Sequence, residues 1–411
     1  MNGLDCIFNP KSVAIVGASN NTKKWGNWVA QQITGSSQGR RIYFVNTQSD
    51  TVLGKPCISQ IEQIIGDLDL AVIVVPKSKI EKYVDKLLIK KTKAIIILSS
   101  GFAELDQEGK QLQDRISEKC QQSNTVLIGP NCAGVWDSYS KFHCLPIGEF
   151  KAGPVAILSQ SGGIIVDVYN RLQEVGLGFS RAVSLGNQAR TSFNDILPLL
   201  EQDPNTKVIA MYVENTDSIP YSYIELMSKP VLILSPRSTS KARNAALQHT
   251  NSSLNHNTKL KIHSIRDLVA ATQLALYNKK LLGKKISIVT DTGGLGVMLS
   301  SYAEQLGLEI VFYKDLIGVP SGFSEDSVDI LRQLLVSKTN CIVMNFHLEN
   351  DKDEYAVGLK LAQLANQSLI PVIFSCRSFE SFGVRALLTE GVPVYRDIET
   401  VIQMVGMSCG L

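Results

Sequence analysis

The feature that most limits the fold of this sequence is a series of short apolar runs, each ending at Gly, Ser, Pro or Asn. SVAIVG begins the series at residue 12, and RIYFVN, LDLAVIVVP and KAIIILSSG follow, separated by helical stretches. Runs that are apolar throughout are typical of strands buried on both faces of a parallel sheet. The alternation of strand and helix predicts an α/β fold with doubly wound parallel sheets.

The length of 411 residues exceeds what one hydrophobic core supports, and the strand–helix pattern falls into three modules. The first covers residues 1–145. The second, which opens at GPVAILSQSGG, covers residues 146–279, and the third, which opens at KKISIVTDTGGLG, covers residues 280–411. We predict one domain for each module.

The composition excludes several classes of protein. With 44% hydrophobic and 19% charged residues and a net charge of +3, the chain is typical of a soluble globular protein. Its basic residues are spread along the chain, which argues against a nucleic-acid partner. The eight cysteines form no metal-like cluster, so we expect no metal site and a reducing compartment. No run suits a signal peptide or membrane span, and we therefore predict a cytoplasmic protein without a membrane partner.

The turn after the first strand disfavours a nicotinamide enzyme. Gly17-Ala18-Ser19 is not followed by a third glycine at the dinucleotide-fingerprint spacing, because Gly26 comes too late. The second strand ends in Val45-Asn46-Thr47, without the acidic residue that would hold an NAD ribose.

The stretch LSQSGG is a stronger candidate for binding an anion. Ser159, Ser161, Gly162 and Gly163 directly precede a predicted helix. One interpretation is that a serine hydroxyl caps the helix. The other is that the free N–H groups at the helix start bind a phosphate dianion. The residues alone leave both interpretations open.

Several motifs in order give the chain a family resemblance. They are GAS after the first strand, SSGFAE, GPNCAG, SQSGG, SLGN, a His-Thr loop and DTGGLGV. In this combination the chain resembles the NDP-forming acyl-CoA synthetases, which include the α subunits of succinyl-CoA synthetase and ADP-forming acetate-CoA ligase. The resemblance implies an N-terminal Rossmann-like CoA-binding domain followed by two flavodoxin-like domains.

The resemblance also implies an activity and its site residues. Acyl-CoA and phosphate would give an acyl phosphate and CoA, and the phosphoryl group would pass to a histidine. The catalytic residues implied are His249, in QHTN, and Glu214, in YVEN. The implied CoA-binding residues are Gly17, Ala18, Ser19, Asn46, Pro76 and Asn131. The implied phosphate-binding residues are Ser159, Ser161, Gly162 and Gly163.

This chemistry agrees with the properties of the side chains. A neutral imidazole is a competent nucleophile near pH 7, because its ordinary pKa is about 6.5. A carboxylate such as that of Glu214 would hold the other ring nitrogen of His249 in its N–H form. The start of the helix after SQSGG would stabilise the phosphoryl dianion, and no metal on this chain is required.

The resemblance extends to ligands and partners. It implies coenzyme A and a small carboxylic acid as substrates. Nucleotide and Mg²⁺ would enter through an ATP-grasp β subunit, and a homo-oligomer is a further expectation.

The sequence departs from the family at several positions. Gln248 and Asn251 replace the serine and glycine that flank the family's His-Thr, and the loop after them is shorter. Thr47 and Gln48 replace a proline and a basic residue near the CoA phosphates, so Arg40 or Arg41 is a candidate for the missing charge. Trp25 and Trp28 are spaced as i and i+3, which favours packing in the core or at a subunit contact over stacking on a base.

Two other functions remain open at this level. One is a diverged acyltransferase or condensing enzyme without nucleotide chemistry, in which His249 and Glu214 act as acid and base. The other is a non-catalytic regulatory protein that binds CoA or acyl-CoA.

Overall fold

The computed structural model describes residues 3–145, 150–235, 262–279, 281, 283–347 and 353–409. The chain forms two compact units, residues 1–170 with 177–255 and residues 171–176 with 256–411. The first unit contains two sheets and the second contains one, while the predicted domain division at residues 145 and 279 stays a prediction. Within the described ranges, no helix combines the length and apolar character needed to cross a bilayer.

The first sheet accounts for the apolar runs at the start of the chain. Its strands are β1 (Ser12–Val16), β2 (Arg41–Val45), β3 (Thr51–Val52), β4 (Lys55–Ile58), β5 (Leu70–Ile73), β6 (Ala94–Ile97) and β7 (Val126–Ile128). The helices are α1 (Asp5–Phe8), α2 (Trp25–Gly35), α3 (Lys77–Ile89) and α4 (Gln107–Gln122), with a 3₁₀ turn at Ile61–Gln63. The strand order is β3-β4-β2-β1-β5-β6-β7, and the pairings are parallel except between β3 and β4. Val13 and Ile15 of β1 enter one core cluster, whereas Ala14 and Val16 enter another, so the strand is apolar throughout.

The second sheet lies in the same unit and has the order β13-β12-β10-β11-β8-β9. Its strands are β8 (Gly134–Asp137), β9 (Phe142–His143), β10 (Ala152–Ser159), β11 (Phe179–Ser184), β12 (Val208–Tyr212) and β13 (Val231–Leu234). Its helices are α5 (Gly162–Glu174), α6 (Phe193–Gln202) and α7 (Tyr221–Ile224), with a 3₁₀ turn at Thr216–Ser218. The pairings of β8 with β11 and of β9 with β8 are antiparallel, and the others are parallel.

The third sheet belongs to the second unit and is parallel throughout, in the order β15-β14-β16-β17-β18. Its strands are β14 (Lys285–Thr290), β15 (Glu309–Asp315), β16 (Cys341–Phe346), β17 (Val372–Cys376) and β18 (Val394–Tyr395). The helices of this unit are α8 (Ile265–Tyr277), α9 (Gly293–Gln305), α10 (Glu325–Leu335), α11 (Glu354–Gln367), α12 (Phe382–Thr389) and α13 (Ile398–Cys409). The predicted α/β class with parallel sheets is therefore confirmed.

Each sheet has one strand at which the chain order reverses. β1 lies between β2 and β5, β10 lies between β11 and β12, and β14 lies between β15 and β16. In open α/β sheets, ligands bind beyond the carboxyl ends of the strands at this reversal. The turns after these strands begin at Gly17, Gln160 and Asp291. These are the GAS, SQSGG and DTGG stretches of the sequence.

Glycines bring the start of α2 against the turn after β1. Gly17 has a φ of +97°, and a Cβ there would lie 2.6 Å from the carbonyl oxygen of Val74. A Cβ on Gly26, in the first turn of α2, would lie 2.0 Å from the carbonyl oxygen of Gly17. Gly26 therefore permits close packing of helix and turn, although its position does not match the dinucleotide fingerprint.

A network of polar side chains joins the first and second sheets within the first unit. The Asn187 side chain, after β11, donates to Glu104 Oε2 at 2.6 Å and to Gln113 Oε1 at 2.9 Å. Asn131 Nδ2 donates to Asn187 Oδ1 at 3.2 Å, and Glu104 Oε1 accepts from the N–H of Gly101 at 2.6 Å. Burial alone would raise the pKa of Glu104, but these hydrogen bonds from Asn187 and Gly101 outweigh it and hold the pKa below its usual value.

We expect Gly26→Ala to destabilise the protein by about 1–3 kcal/mol, because the new methyl group overlaps the backbone at Gly17. Gly35→Ala is the matched control in the same helix, since its Cβ meets no heavy atom within 4 Å. Alanine is the better helix former, so the control should keep or raise stability by up to about 1 kcal/mol. Urea unfolding compares them, and equal midpoints would contradict the close contact.

We expect Glu104→Gln to lower the free energy of unfolding at pH 7 by about 1–3 kcal/mol, because an acceptor of buried hydrogen bonds is lost. The depressed pKa means that the ionised carboxyl stabilises the fold above its unfolded pKa of about 4.3. This stabilisation is lost as the pH falls through the lower pKa of the folded state. The difference between wild type and variant should therefore shrink in acid. Exposed Glu108→Gln serves as the control, and a difference independent of pH would contradict the network's role.

Candidate functional site

A cavity of about 800 Å³ opens at the carboxyl ends of the strands in the first unit. It is lined by Gly17, Lys23, Lys24, Trp25, Gly26, Val74, Val75, Pro76, Lys77, Leu98, Ser99, Ser100, Asn131, Cys132, Ala133, Gly162, Gly163 and Val166. The lining thus combines turns after strands of the first sheet with the start of α5 from the second. Its size matches pockets that enclose a cofactor-sized molecule.

The cavity brings together five of the ten candidate CoA-binding and phosphate-binding residues. Gly17, Pro76 and Asn131 are three of the six candidate CoA-binding residues, and Gly162 and Gly163 are two of the four candidate phosphate-binding residues. The convergence follows from topology, because β1 and β5 are neighbours at the reversal of the first sheet. It also requires the loop before β8 to meet the start of α5.

Ala18, Ser19 and Asn46 are not part of the lining, and they shape the turn after β1. Asn46 Nδ2 donates to the carbonyl of Ala18 at 2.7 Å, and Asn46 Oδ1 accepts from the N–H of Gln48. Ser19 Oγ accepts from the N–H of Asn21 at 3.1 Å. The polar atoms of Asn46 and Ser19 thus serve local turn geometry, and a direct contact of these residues with CoA stays a prediction.

The SQSGG loop is held by its own first serine. Ser159 is fully buried; its Oγ accepts from the N–H of Ser161 at 3.0 Å and donates to the carbonyl of Ser161 at 2.6 Å. α5 then begins at Gly162, where a Cβ would lie 2.5 Å from that of Ala133. The absence of a side chain at Gly162 lets the helix start reach the cavity. The first N–H groups of a helix have no partner within the helix, so this end favours an anion.

Gln160 connects the same loop to Glu214. The Gln160 N–H donates to the carbonyl of Tyr212, and its Oε1 accepts from the backbone N–H of Glu214 at 2.5 Å and of Asn215 at 3.3 Å. Glu214 is exposed and follows β12, the strand beside β10. The backbone of one predicted catalytic residue is thus fixed next to the predicted phosphate loop, although Glu214 does not line the cavity.

The second predicted catalytic residue, His249, lies outside the described residues, as do Gln248, Asn251 and His256. Its distance from the SQSGG loop therefore stays a prediction. His263 is described and is exposed ahead of α8.

The two candidate replacement arginines have other partners. Arg40 donates to the carbonyls of Pro10, Ser36 and Ser140 at 2.7–3.0 Å, and its guanidinium lies 5.4 Å from the centre of the Phe142 ring. Arg41 donates to the carbonyl of Asp67. Neither lines the cavity, so the expectation that one of them supplies charge there is not supported.

Sequence reasoning missed the three lysines of the lining and assigned Trp25 to packing. Lys23, Lys24 and Trp25 lie between the β1 turn and the body of α2, and Lys77 begins α3. The stretch GASNNTKKWG carried the signal, since two lysines and a tryptophan there stand immediately before the helix. Trp25 is 62% exposed and Trp28 is 49% exposed, so the pair does not pack in the core of this chain, and packing at a subunit contact stays a prediction.

Cys132 also lines the cavity, but it is not suited to be a nucleophile. Its Sγ donates to the carbonyl of Ile97, and burial raises the pKa of its thiol. Burial likewise raises the pKa of Cys144 to about 12. Both remain neutral at pH 7, and nucleophilic attack requires the thiolate. Among the described residues, no group of three or more His, Cys, Asp or Glu side chains is arranged to hold a metal ion.

Comparison with known families gives two matches, one after the other along the chain. Residues 11–137 match the CoA binding domain family, and residues 152–261 match the succinyl-CoA ligase like flavodoxin domain family. The first match covers the seven-stranded sheet, and the second begins at β10.

Two relatives are similar to this chain over most of its length. The α subunit of ADP-forming acetate–CoA ligase II from Pyrococcus furiosus is 29% identical over 322 residues, which are 75% of this chain and 70% of that protein. The ADP-forming acetate–CoA ligase I of Archaeoglobus fulgidus is 28% identical over 353 residues, 82% of this chain. The matched part spans 49% of that second, longer protein.

A solved structure shows that the likeness in fold covers the whole chain. The dinucleotide-forming acetyl-coenzyme A synthetase 1 of Ca. Korarchaeum cryptofilum, in complex with phosphate and ADP, superposes with a TM-score of 0.82 at 21% identity. The superposition covers 100% of this chain and 97% of the other. The two domain matches and these relatives together show that the chain contains a CoA binding domain and a succinyl-CoA ligase like flavodoxin domain, and that it is similar to ADP-forming acetate–CoA ligases.

Proposed function

We propose that this chain is an α-type subunit of an NDP-forming acyl-CoA ligase, which interconverts acyl-CoA plus phosphate with acid plus CoA. The observation that supports this most directly is the shared cavity. Turns of the CoA-binding domain and the start of α5, after SQSGG, line one space. A thioester held by the first set would therefore lie beside an anion site formed by the second. The relatives named above are CoA ligases, and they do not favour a condensing enzyme or a regulatory protein.

The first chemical step joins phosphate to the acyl group. A phosphate oxygen attacks the thioester carbonyl carbon, a C–O bond forms, and the C–S bond breaks with release of the CoA thiolate. The N–H groups of Gly162 and Gly163, at the start of α5, would hold the phosphate dianion during this attack. The products are an acyl phosphate and CoA.

The second step moves the phosphoryl group to His249. An imidazole nitrogen attacks phosphorus, an N–P bond forms, and the carboxylic acid leaves as its carboxylate. Glu214 would accept a hydrogen bond from the other ring nitrogen and stabilise the cation that forms. The hydrogen bonds that the backbone N–H groups of Glu214 and Asn215 donate to Gln160 Oε1 support this role, because they fix the segment that carries the carboxylate. Ser159 and Ser161 would keep the loop in shape for both steps.

The last transfer requires a nucleotide site, which we assign to a partner. We propose that an ATP-grasp β subunit holds the nucleoside diphosphate and Mg²⁺ and accepts the phosphoryl group from His249. That a relative is itself named as a subunit α supports a multi-chain assembly. Because CoA and nucleotides are cytoplasmic metabolites, and the described cysteines are free thiols, we also propose a cytoplasmic location.

We expect phosphohistidine to form on the chain when it is incubated with an acyl-CoA and phosphate, and to be absent from His249→Ala. His256→Ala, in the same stretch, is the matched control and should keep the modification. Intact-mass measurement before and after acid treatment detects it, because the N–P bond is acid-labile. An acid-labile phosphate that persists in His249→Ala would contradict the role of His249.

We expect CoA to bind the chain alone in a calorimetric titration, because its predicted site lies within the first unit. NADH should give no binding heat, since the residue directly after β2, where an acidic side chain would hold the ribose, is Asn46. Binding of NADH with no binding of CoA would overturn the proposed function.

A further inference from the structure

Two tryptophans are exposed at the entrance to α2. The ring centres of Trp25 and Trp28 are 5.9 Å apart, with 58° between the ring planes. Trp28 Nε1 donates to the carbonyl of Thr22 at 2.9 Å, which ties its indole to the preceding loop. Trp25 lines the cavity, whereas Trp28 does not.

The packing of α2 does not explain why residue 25 is a tryptophan. The face of α2 that packs into the protein is formed by Gly26, Asn27, Val29, Ala30 and Ile33. Trp25 is 62% exposed, although tryptophan is highly buried on average. Its ring is therefore free to cover a ligand that enters the cavity.

The charges beside Trp25 restrict what that ligand is. The lining contains Lys23, Lys24 and Lys77, and it contains no aspartate or glutamate. Lys24 stands at the N-cap position of α2 without a side-chain cap, so the positive end of the helix adds to the same field. An aromatic ring next to lysines suits a nucleotide, because the base has a π-face that can stack on the ring and the phosphates are anionic.

We propose that Trp25 stacks on the adenine base of coenzyme A and that Lys23 and Lys24 bind its phosphate groups. This assignment rests on the proposed function, which makes CoA the ligand of the cavity. In this assignment the nucleotide half of CoA binds at the start of α2, and the thioester half lies near the start of α5. Recognition of the nucleotide then depends on three consecutive side chains of the KKW stretch.

The test uses the intrinsic fluorescence of the full chain, which has three tryptophans. The Trp28→Phe variant leaves Trp25 and the buried Trp136 as reporters. CoA and adenosine 3′,5′-bisphosphate should both quench the emission, whereas 4′-phosphopantetheine should not. Trp25→Phe should bind CoA without that quench. Trp25→Ala should bind CoA roughly tenfold more weakly, the usual effect of losing one base–aromatic stack.

Calorimetry with the same ligands keeps the proposal separate from the proposed function. Trp28→Phe is the control outside the lining and should keep the affinity of the unaltered chain. Lys23→Gln with Lys24→Gln should weaken CoA binding more than 4′-phosphopantetheine binding. If Trp25→Ala binds CoA as tightly as the unaltered chain, the stacking assignment is wrong and the CoA site stands. If the unaltered chain binds no CoA, the proposed function fails as well.

Discussion

The site depends on how closely the starts of α2 and α5, the helices that follow two strand reversals, approach neighbouring loops. A Cβ on Gly26 would lie 2.0 Å from the carbonyl oxygen of Gly17, and a Cβ on Gly162 would lie 2.5 Å from the Ala133 Cβ. With side chains at these positions, α2 and α5 would be displaced by steric overlap. Their first N–H groups would then recede from the cavity. The same contacts thus pack the helices and leave their positive ends available to anions.

A turn that is held by a hydroxyl group and followed by a helix occurs in both units, although the chain has no detectable sequence repeat. After β10, Ser159 Oγ bridges the N–H and carbonyl of Ser161; after β14, Thr290 Oγ1 does the same with Thr292. In both places a glycine then begins the helix. A hydroxyl three residues before the first residue of the helix therefore fixes the turn, which explains why SQSGG and TDTGG share a pattern of residue types.

The sequence predicted the strands, the parallel sheets and the loops at the reversals, because these follow from local apolar patterns and turn residues. It predicted less well which side chains in those loops face the cavity. Asn46 and Ser159 look like ligand-binding residues, yet their polar atoms bond to the backbone nearby. Lys23 and Trp25 enter the lining because of where α2 begins and how closely it packs, and neither is a local property of the sequence. The antiparallel β8–β9 pair and the partners of Arg40 likewise depend on contacts distant in the chain.

The central claim is that one cavity in the first unit holds CoA between the start of α2 and the start of α5. Hydrogen–deuterium exchange with and without CoA tests it most directly, since it reports on backbone amides at both places in one experiment. Slower exchange in the peptides around residues 17–27 and 161–166, together, is the predicted result. Protection in only one of the two segments, or only in the second unit, would contradict the claim.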